Sequence, residues 1–178
     1  MDELIDVLDK FGNKTGIVKK KFEVKRDGDF HKVVAVCIIN DDNEVLIQKR
    51  QCSRKIYPNL WNYNVTGHVM SGELPVQTCI REAKEELSVD IKEEQLKYLY
   101  TINVGNVIED SINRLIIDQY IVRMNVGIED IVIQEDEMSE IKYISFEDLV
   151  EIVNSKDSSF TPDWEAHRKL IDIIESEM

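Results

Sequence analysis

Residues 67–91 read GHVMSGELPVQTCIREAKEELSVDI, and this stretch decides how the rest of the chain is interpreted. Glu82, Glu85 and Glu86 stand three and four positions apart in a predicted helix over residues 75–87. Like charges at those spacings share a helix face and destabilise the helix by roughly 0.2–0.5 kcal/mol per pair. The helix dipole disfavours them further near the C-terminus. A bound divalent cation would offset both costs; a solvated acidic face is the alternative.

The same segment carries an apolar face at helical spacing, which predicts burial against a core. Its members are Val76, Cys79, Ile80, Ala83 and Leu87. A proline suits the first turn of a helix, where its missing N–H costs little, and Pro75 lies there. Carboxylate oxygens are hard ligands, so the predicted cation is Mg²⁺ or Mn²⁺.

The residues before the helix complete a longer pattern. Gly67 lies six positions before Glu73, and seven residues separate Glu73 from Arg81. The chain resembles the Nudix box, G-x5-E-x7-R-E-U-x-E-E-x-G-U, in which U is an aliphatic residue. Ser88 departs from it, because the family has a glycine there that ends the helix.

Resemblance to the Nudix family implies an α/β fold of the α/β/α sandwich type with a mixed central sheet. It also implies that Glu82, Glu85 and Glu86 bind the metal, with a backbone carbonyl of Thr66 or Gly67 as a further ligand. Glu82 and Glu85 are expected to contribute to catalysis. The implied reaction is hydrolysis of a diphosphate joined to another moiety, in which water attacks phosphorus.

Other roles follow from the same resemblance. Glu73 and Arg81 are expected to form a structural ion pair that braces the loop against the helix. Family members often take a further glutamate from a later loop, and Glu137 is the first choice here for a general base or extra ligand. Glu135 and Glu140 are the next choices for this role. A solvated acidic turn is the alternative for all three residues.

A wider similarity, over roughly residues 3–90, is to the isopentenyl-diphosphate isomerase branch. It is carried by VLDKFGNKTG, FHKVVAV and VLIQKRQCSRKIYPNLWNYNVTGH. By the spacing KRxxxRKxxP, Arg50 and Lys55 are expected to bind the diphosphate, a role that suits a guanidinium and an ammonium. His31 and His68 match two metal-binding histidines of the isomerases. We expect His31 to be structural and His68 to lie near the substrate.

The residues needed for isomerase chemistry are incomplete. Thr66 replaces the isomerase cysteine, no histidine lies near Val24, and residues 113–124 lack a Glu-x-Glu pair. The sequence therefore favours a pyrophosphohydrolase on an isomerase-like scaffold. Two alternatives remain open: isopentenyl-diphosphate isomerase, and a non-catalytic module that binds a phosphorylated metabolite, suggested by the departure at Ser88.

Length and composition set the wider expectations. The chain has 178 residues, 43% of them hydrophobic, which fits a single globular domain over residues 1–178. Its net charge of −13 opposes nucleic-acid binding, and no apolar run is long enough to span a membrane. An acidic N-terminus without signal-peptide features, and three cysteines expected to be reduced thiols, predict a cytoplasmic location. The predicted partner is a small-molecule diphosphate, and homodimerisation is left open.

Pattern and turn residues predict the remaining elements. Residues 1–30 are expected to form a strand-and-turn extension, with IVKKKFEV as an edge strand. HKVVAVCIIN and VLIQKR suggest a hairpin, and YLYTINVG, NRLIIDQYIVRM and KYISFEDL further strands. FEDLVEIVNSK predicts a helix capped by Ser145, and residues 160–177 a C-terminal helix. The segment VGNVIEDSINR, residues 104–114, is a candidate substrate loop.

Overall fold

Strands and helices are interleaved along the chain in the computed structural model, which describes residues 3–108 and 111–176. These residues form nine strands, four α-helices and two short 3-10 turns, and the central sheet is mixed. The predicted α/β class is therefore confirmed. None of the described helices is long and apolar enough to cross a membrane.

The strands are β1 (Leu4–Leu8), β2 (Lys14–Lys20), β3 (Phe30–Ile39), β4 (Glu44–Arg50), β5 (Trp61–Asn62), β6 (Asn64–His68), β7 (Leu96–Ile108), β8 (Ser111–Arg123) and β9 (Met138–Ser145). The α-helices are α1 (Lys21–Asp27), α2 (Pro75–Leu87), α3 (Phe146–Ser155) and α4 (Trp164–Glu175). The bounds of α2 agree with the predicted box helix. Residues 104–108 and 111–114 belong to strands β7 and β8, so the loop predicted over 104–114 is wrong, and its residues 109–110 lie outside the described chain.

Contacts divide the chain into two compact units. The first comprises Met1–Val36, Val65–Ala83 and Asp90–Tyr120, and the second Cys37–Asn64, Lys84–Val89 and Ile121–Met178. In the first unit, β1 pairs with β2 and, through Leu8 opposite Phe30, with β3. The exposed lysines of β2 suit an edge strand, because charge discourages further pairing.

In the second unit, β4 pairs antiparallel with both β5 and β9. The predicted hairpin is confirmed, because Ile39 at the end of β3 pairs with Val45 of β4. Helix α3 follows β9 directly, and the Ser145 hydroxyl accepts a hydrogen bond from the Asp148 N–H at 3.0 Å. The predicted cap of α3 is therefore confirmed as well.

The N-terminal segment departs from its predicted form. The strand expected over IVKKKFEV stops at Lys20, and α1 begins at Lys21. The Glu23 carboxylate accepts a hydrogen bond from the Lys20 N–H at 3.0 Å, which satisfies a donor at the helix start. Gly28 then ends the helix at φ 69°, where a side chain would meet Ile112. Residues 1–30 therefore include a helix that the sequence prediction lacked.

The last helix begins later than predicted. Residue 160, the predicted start, instead lies in extended backbone beside β5, where the Trp61 N–H donates to Ser159 and the Thr161 N–H donates to Trp61. Pro162 disfavours helical backbone at the residue before it, so α4 starts at Trp164. Residue 177, the predicted end, lies outside the described chain.

Candidate active site

Arg81 on α2 holds the loop that precedes the helix. Its guanidinium donates from Nε to Glu73 Oε1 at 3.0 Å and from Nη2 to Glu73 Oε2 at 3.1 Å. It also donates to the His68 carbonyl at 3.2 Å and to Glu82 Oε1 at 2.6 Å. Burial opposes the positive charge, but the carboxylates of Glu73 and Glu82 outweigh it and raise the pKa of Arg81. One side chain therefore fixes both the loop and the first glutamate of the acidic face.

Glu73 completes the brace from the loop side. Its Oε2 accepts a hydrogen bond from the Met70 N–H at 3.2 Å, which ties the loop backbone to the ion pair. Burial acts to raise the pKa of Glu73, and hydrogen bonds from Arg81, Thr78 and Met70 lower it by more. Glu73 is therefore held as a carboxylate facing Arg81.

Gly67, at the end of β6, lies directly against the Glu82 side chain. A Cβ on Gly67 would stand 2.0 Å from Glu82 Cγ and 2.2 Å from its Oε1, far inside van der Waals contact. Gly67 is buried, and the Glu82 carboxylate that lies against it also accepts a hydrogen bond from Arg81. A side chain at this position would therefore force Glu82 to move from the place it occupies.

Glu85 and Glu86 lie about one turn beyond Glu82 on the same continuous helix. The Glu86 side chain is buried and that of Glu85 is exposed. Within residues 3–108 and 111–176, no three His, Cys, Asp or Glu side chains are gathered closely enough to hold a metal ion. The three expected metal ligands lie on one helix. One of them, the Glu82 carboxylate, already accepts a hydrogen bond from Arg81.

The end of α2 is stabilised without the glycine of the family pattern. Ser88 adopts φ 57°, the left-handed conformation that a helix-terminating glycine usually provides. Its N–H donates to the Lys84 carbonyl at 3.1 Å. The carbonyls of Glu86 and Leu87 accept hydrogen bonds from the Gln134 and Val132 N–H groups, at 2.9 and 3.2 Å. The segment at residues 132–134 therefore completes the helix end, and Ser88 takes the left-handed conformation without being a glycine.

Arg50, at the end of β4, closes the loop that follows it. Its Nε donates to the Ile56 carbonyl at 2.9 Å, its N–H donates to Leu60 at 3.0 Å, and its carbonyl accepts from Asn59 at 3.2 Å. Burial and the neighbouring Arg54 charge lower the pKa of Arg50, while Glu137, Glu86 and Asp163 act in the opposite direction. The predicted diphosphate ligand is thus partly committed to holding residues 51–59 in place.

Arg54 is the cation in this loop that the sequence prediction missed. Its Nη1 donates to Glu137 Oε1 at 2.5 Å, and the two side chains are 36% and 28% exposed. The spacing KRxxxRKxxP contains Arg54 directly before Lys55, so the signal lies in the same dipeptide that predicts Lys55 as the ligand. Lys55 is exposed, and its assignment as a diphosphate ligand stays a prediction.

The three loop glutamates occupy different positions. The Glu137 backbone carbonyl accepts from the Gln51 N–H at 2.9 Å, and the Glu135 carbonyl accepts from Gln51 Nε2 at 2.8 Å. Glu140 lies on β9 opposite Lys49. The Glu137 side chain contacts the loop after β4 through its hydrogen bond with Arg54. Its role as a base or metal ligand stays a prediction.

His31 and His68 stack on each other with ring centroids 5.2 Å apart. His31 Nδ1 lies 3.0 Å from the Asp29 carbonyl, which makes Nδ1 the donor and leaves Nε2 unprotonated. The Nε2 atoms of both rings are buried without a hydrogen-bond partner among the described residues. Burial lowers the pKa of each histidine. A neutral pair of this kind fits the structural role expected of His31; a substrate role for His68 stays a prediction.

Most of the chain matches a known protein family. Residues 29–169 match the model of the NUDIX domain, which is more than half of the chain. The chain belongs to the Nudix family. The resemblance to the Nudix family is therefore confirmed.

Relatives of the Nudix domain include both hydrolases and isomerases. The chain is 31% identical over 180 residues to Nudix hydrolase 3 of Arabidopsis thaliana, covering 97% of this chain but 23% of that protein. It is 25% identical over 168 residues to an isopentenyl-diphosphate Delta-isomerase of Corynebacterium diphtheriae, covering 90% and 88%. The crystal structure of DR0079 from Deinococcus radiodurans superposes with a TM-score of 0.67 at 21% identity, covering 94% and 98%. That likeness confirms the Nudix fold.

Proposed function

We propose that this Nudix protein is a divalent-metal-dependent hydrolase that cleaves the diphosphate linkage of a nucleoside diphosphate derivative or a related small organic diphosphate. The contact between Gly67 and Glu82 carries the proposal. A glycine leaves room there for a carboxylate, and Arg81 holds that carboxylate in position. Two further glutamates follow on the same helix face. A purely solvated acidic face would need neither the close approach nor the brace.

Glu82, Glu85 and Glu86 would hold Mg²⁺ or Mn²⁺, with the Gly67 backbone carbonyl as a further ligand. The donor chemistry fits, because all of these atoms are hard oxygens. Such a metal would supply charge neutralisation at the diphosphate oxygens and a lower pKa for a bound water.

The protein side chains position the substrate and move the proton. Arg54 and Lys55 present positive charge from one loop, and Arg50 fixes the base of that loop. Guanidinium groups form charge-assisted hydrogen bonds with phosphate oxygens, which orients the diphosphate for attack. Glu137 is the proposed acceptor of the water proton. Arg81 contributes indirectly, by keeping Glu82 and the loop fixed.

A cytoplasmic location and a small-molecule substrate are part of the same proposal. The described cysteines Cys37, Cys52 and Cys79 are all free thiols, which fits a reducing cytoplasm. A small-molecule substrate fits a chain of net charge −13, because a nucleic-acid backbone would be repelled. A single domain over residues 1–178 remains part of the proposal.

The stacked pair of His31 and His68 supports a second candidate, isopentenyl-diphosphate isomerase. Both Nε2 atoms are buried without a hydrogen-bond partner in the described part of the chain, and relatives carry that name. Thr66 weighs against it, because a hydroxyl replaces the thiol at the reacting position. Conversion of isopentenyl to dimethylallyl diphosphate by the purified protein would select the isomerase.

A substrate panel tests the leading proposal. The purified protein is incubated with nucleotide sugars, dinucleoside polyphosphates, nucleoside triphosphates and isoprenoid diphosphates, with Mg²⁺ or Mn²⁺ and with chelator. We expect metal-dependent release of phosphate or a phosphomonoester from at least one class, and its loss in Glu85→Gln. Glu151→Gln, an exposed helix glutamate of α3, is the matched control and should keep full activity. No metal-dependent release from any member contradicts the proposal.

A further inference from the structure

The ion pair between Arg54 and Glu137 joins two loops of the second compact unit. Arg54 Nη1 and Glu137 Oε1 are 2.5 Å apart, and both side chains are partly exposed. Among the described residues, Glu137 is the hydrogen-bond partner of the Arg54 guanidinium. A partly exposed ion pair is weak, because water solvates both charges and competes with the contact. The pair can therefore be broken without a large penalty.

Backbone hydrogen bonds hold the same loops together independently of this pair. The Gln51 N–H donates to the Glu137 carbonyl at 2.9 Å, and Gln51 Nε2 donates to the Glu135 carbonyl at 2.8 Å. The Arg54 N–H donates to the Gln51 carbonyl at 3.0 Å. Arg54 can thus swing away from Glu137 by side-chain rotation alone, while the loops stay in place.

The charge around Arg54 favours an incoming anion. Arg50 lies close enough for the two guanidiniums to repel, and Lys55 follows next in the chain. Arg50 already donates its Nε to the Ile56 carbonyl, so Arg54 is the cation better able to change partner. A diphosphate carries more negative charge than one carboxylate and accepts two hydrogen bonds from a guanidinium fork.

The ion pair between Arg54 and Glu137 also lies near the end of the box helix. Gln134, three residues before Glu137, donates its N–H to the Glu86 carbonyl at 2.9 Å. Glu86 and Glu137 both act on the charge of Arg50. The segment that carries Glu137 therefore contacts the end of the box helix.

We propose that Arg54 exchanges partners when substrate binds: it holds Glu137 in the free protein and moves to a diphosphate oxygen in the complex, which frees the Glu137 carboxylate. This inference rests on the proposed diphosphate hydrolysis. It makes Arg54 a substrate-binding residue and Glu137 a group that becomes available after the diphosphate has arrived. The proton acceptor is then exposed in the productive complex and masked in the free protein.

A binding cycle tests the exchange without turnover. The dissociation constant of methylenediphosphonate, a non-hydrolysable diphosphate, is measured by calorimetry with magnesium present. The proteins are wild type, Glu137→Gln, Arg54→Gln and the double variant. We expect Glu137→Gln to bind about two- to fivefold more tightly, the range that loss of a competing exposed ion pair allows. Arg54→Gln should bind more weakly, and adding Glu137→Gln to it should bring no gain.

Glu135→Gln is the matched control, because it removes one exposed carboxylate from the same turn. Its expected effect on binding is smaller than that of Glu137→Gln. Where Arg54→Gln does not fold, Arg54→Met, which keeps an apolar stem, takes its place in the cycle.

The outcomes separate the exchange from the proposed function. The exchange is wrong if Glu137→Gln tightens diphosphate binding equally with Arg54 intact and with Arg54 replaced. It is also wrong if Glu135→Gln tightens binding as much as Glu137→Gln does. Either result would mean that the gain comes only from the loss of a negative charge. No change in Glu137→Gln also overturns the exchange. If the wild type still hydrolyses its substrate in those cases, the proposed function stands. Absence of both diphosphate binding and hydrolysis in the wild type removes both.

Discussion

Gly67 and Glu82 approach so closely that one methyl group on Gly67 would overlap the glutamate side chain, at 2.0 Å from Cγ. Glu82 also accepts a 2.6 Å hydrogen bond from Arg81. The first carboxylate of the box helix is thereby confined on two sides. Its position depends on the loop as much as on the helix, and this relationship leads to the first two predictions.

Gly67→Ala should displace Glu82 and lower kcat/KM by about 100-fold or more, because small misplacements at a reacting centre have effects of that size. Steady-state kinetics on the best substrate of the panel measure the change. Gly105→Ala is the matched control: this strand glycine would place its Cβ 3.9 Å from the nearest atom, the Asn113 carbonyl oxygen. Wild-type kinetics in Gly67→Ala would show that the contact is unimportant.

Arg81→Lys should lower stability, because an ammonium cannot reproduce the two-pronged bond to Glu73. Loss of charged hydrogen bonds in this partly buried site should cost about 1–3 kcal/mol in the free energy of unfolding. For a chain of this size, that is a Tm decrease of about 3–10 °C. Calorimetry tests it, with Arg26→Lys in an exposed ion pair as the control. Equal melting of Arg81→Lys and wild type would refute the bracing role.

Ser88→Gly should raise the stability of the protein. Ser88 holds φ 57°, which costs a residue with a Cβ about 1–2 kcal/mol relative to glycine. Part of that gain is lost because glycine increases the entropy of the unfolded chain. We expect a net increase of about 1 kcal/mol, or about 2–4 °C in Tm. Ser53→Gly, in an exposed loop without positive φ, should bring no increase. A lower Tm for Ser88→Gly would contradict the helix-end account.

Local signals explain why the box helix was predicted correctly. Pro75 at its start and buried Cys79 and Ala83 on its inner face are set by neighbours within a few positions. The helix end was harder to predict, because Ser88 lacks the glycine signal. Its geometry depends on Val132 and Gln134, which lie more than 40 residues away along the chain.

Features that depend on distant contacts escaped prediction. Helix α1 is ended by Gly28, whose place against Ile112 is invisible in the local pattern. Arg54 and Glu137 are 83 positions apart, and the antiparallel pairing of β4 with β9 and the hydrogen bonds of Gln51 bring their loops together. The sequence identified the acidic loop and the basic loop, but the tertiary fold determines which members meet.

The buried histidines should make stability fall as the pH drops below about 6.5. Burial lowers the folded-state pKa of His31, His68 and His167, so below about 6.5 the unfolded chain binds more protons than the folded one. Stability from these groups is present above that pH and is lost below it. Chemical denaturation between about pH 8 and pH 5 measures the change.

His167→Gln isolates the contribution of one histidine to this pH dependence of stability. His167 Nε2 lies 2.9 Å from the Thr161 carbonyl, so Nε2 carries the proton and Nδ1 accepts from the Tyr63 hydroxyl at 2.8 Å. Protonating Nδ1 places a positive charge in this buried site and requires the Tyr63 hydroxyl to accept instead of donate. The variant should be less stable at about pH 8 and lose less stability on acidification than the wild type. Parallel pH profiles for the two proteins would contradict the assignment.

Binding of Mn²⁺, followed by electron paramagnetic resonance, tests most directly whether the acidic face of α2 is a metal site. The wild type should take up the ion, and Glu85→Gln should weaken its binding at least tenfold, the loss usually seen when even an outer-sphere partner is removed. Glu151→Gln should bind as the wild type does. Equal Mn²⁺ binding by all three proteins, or none by any, would contradict the proposal that the carboxylates of the Nudix box hold the catalytic metal.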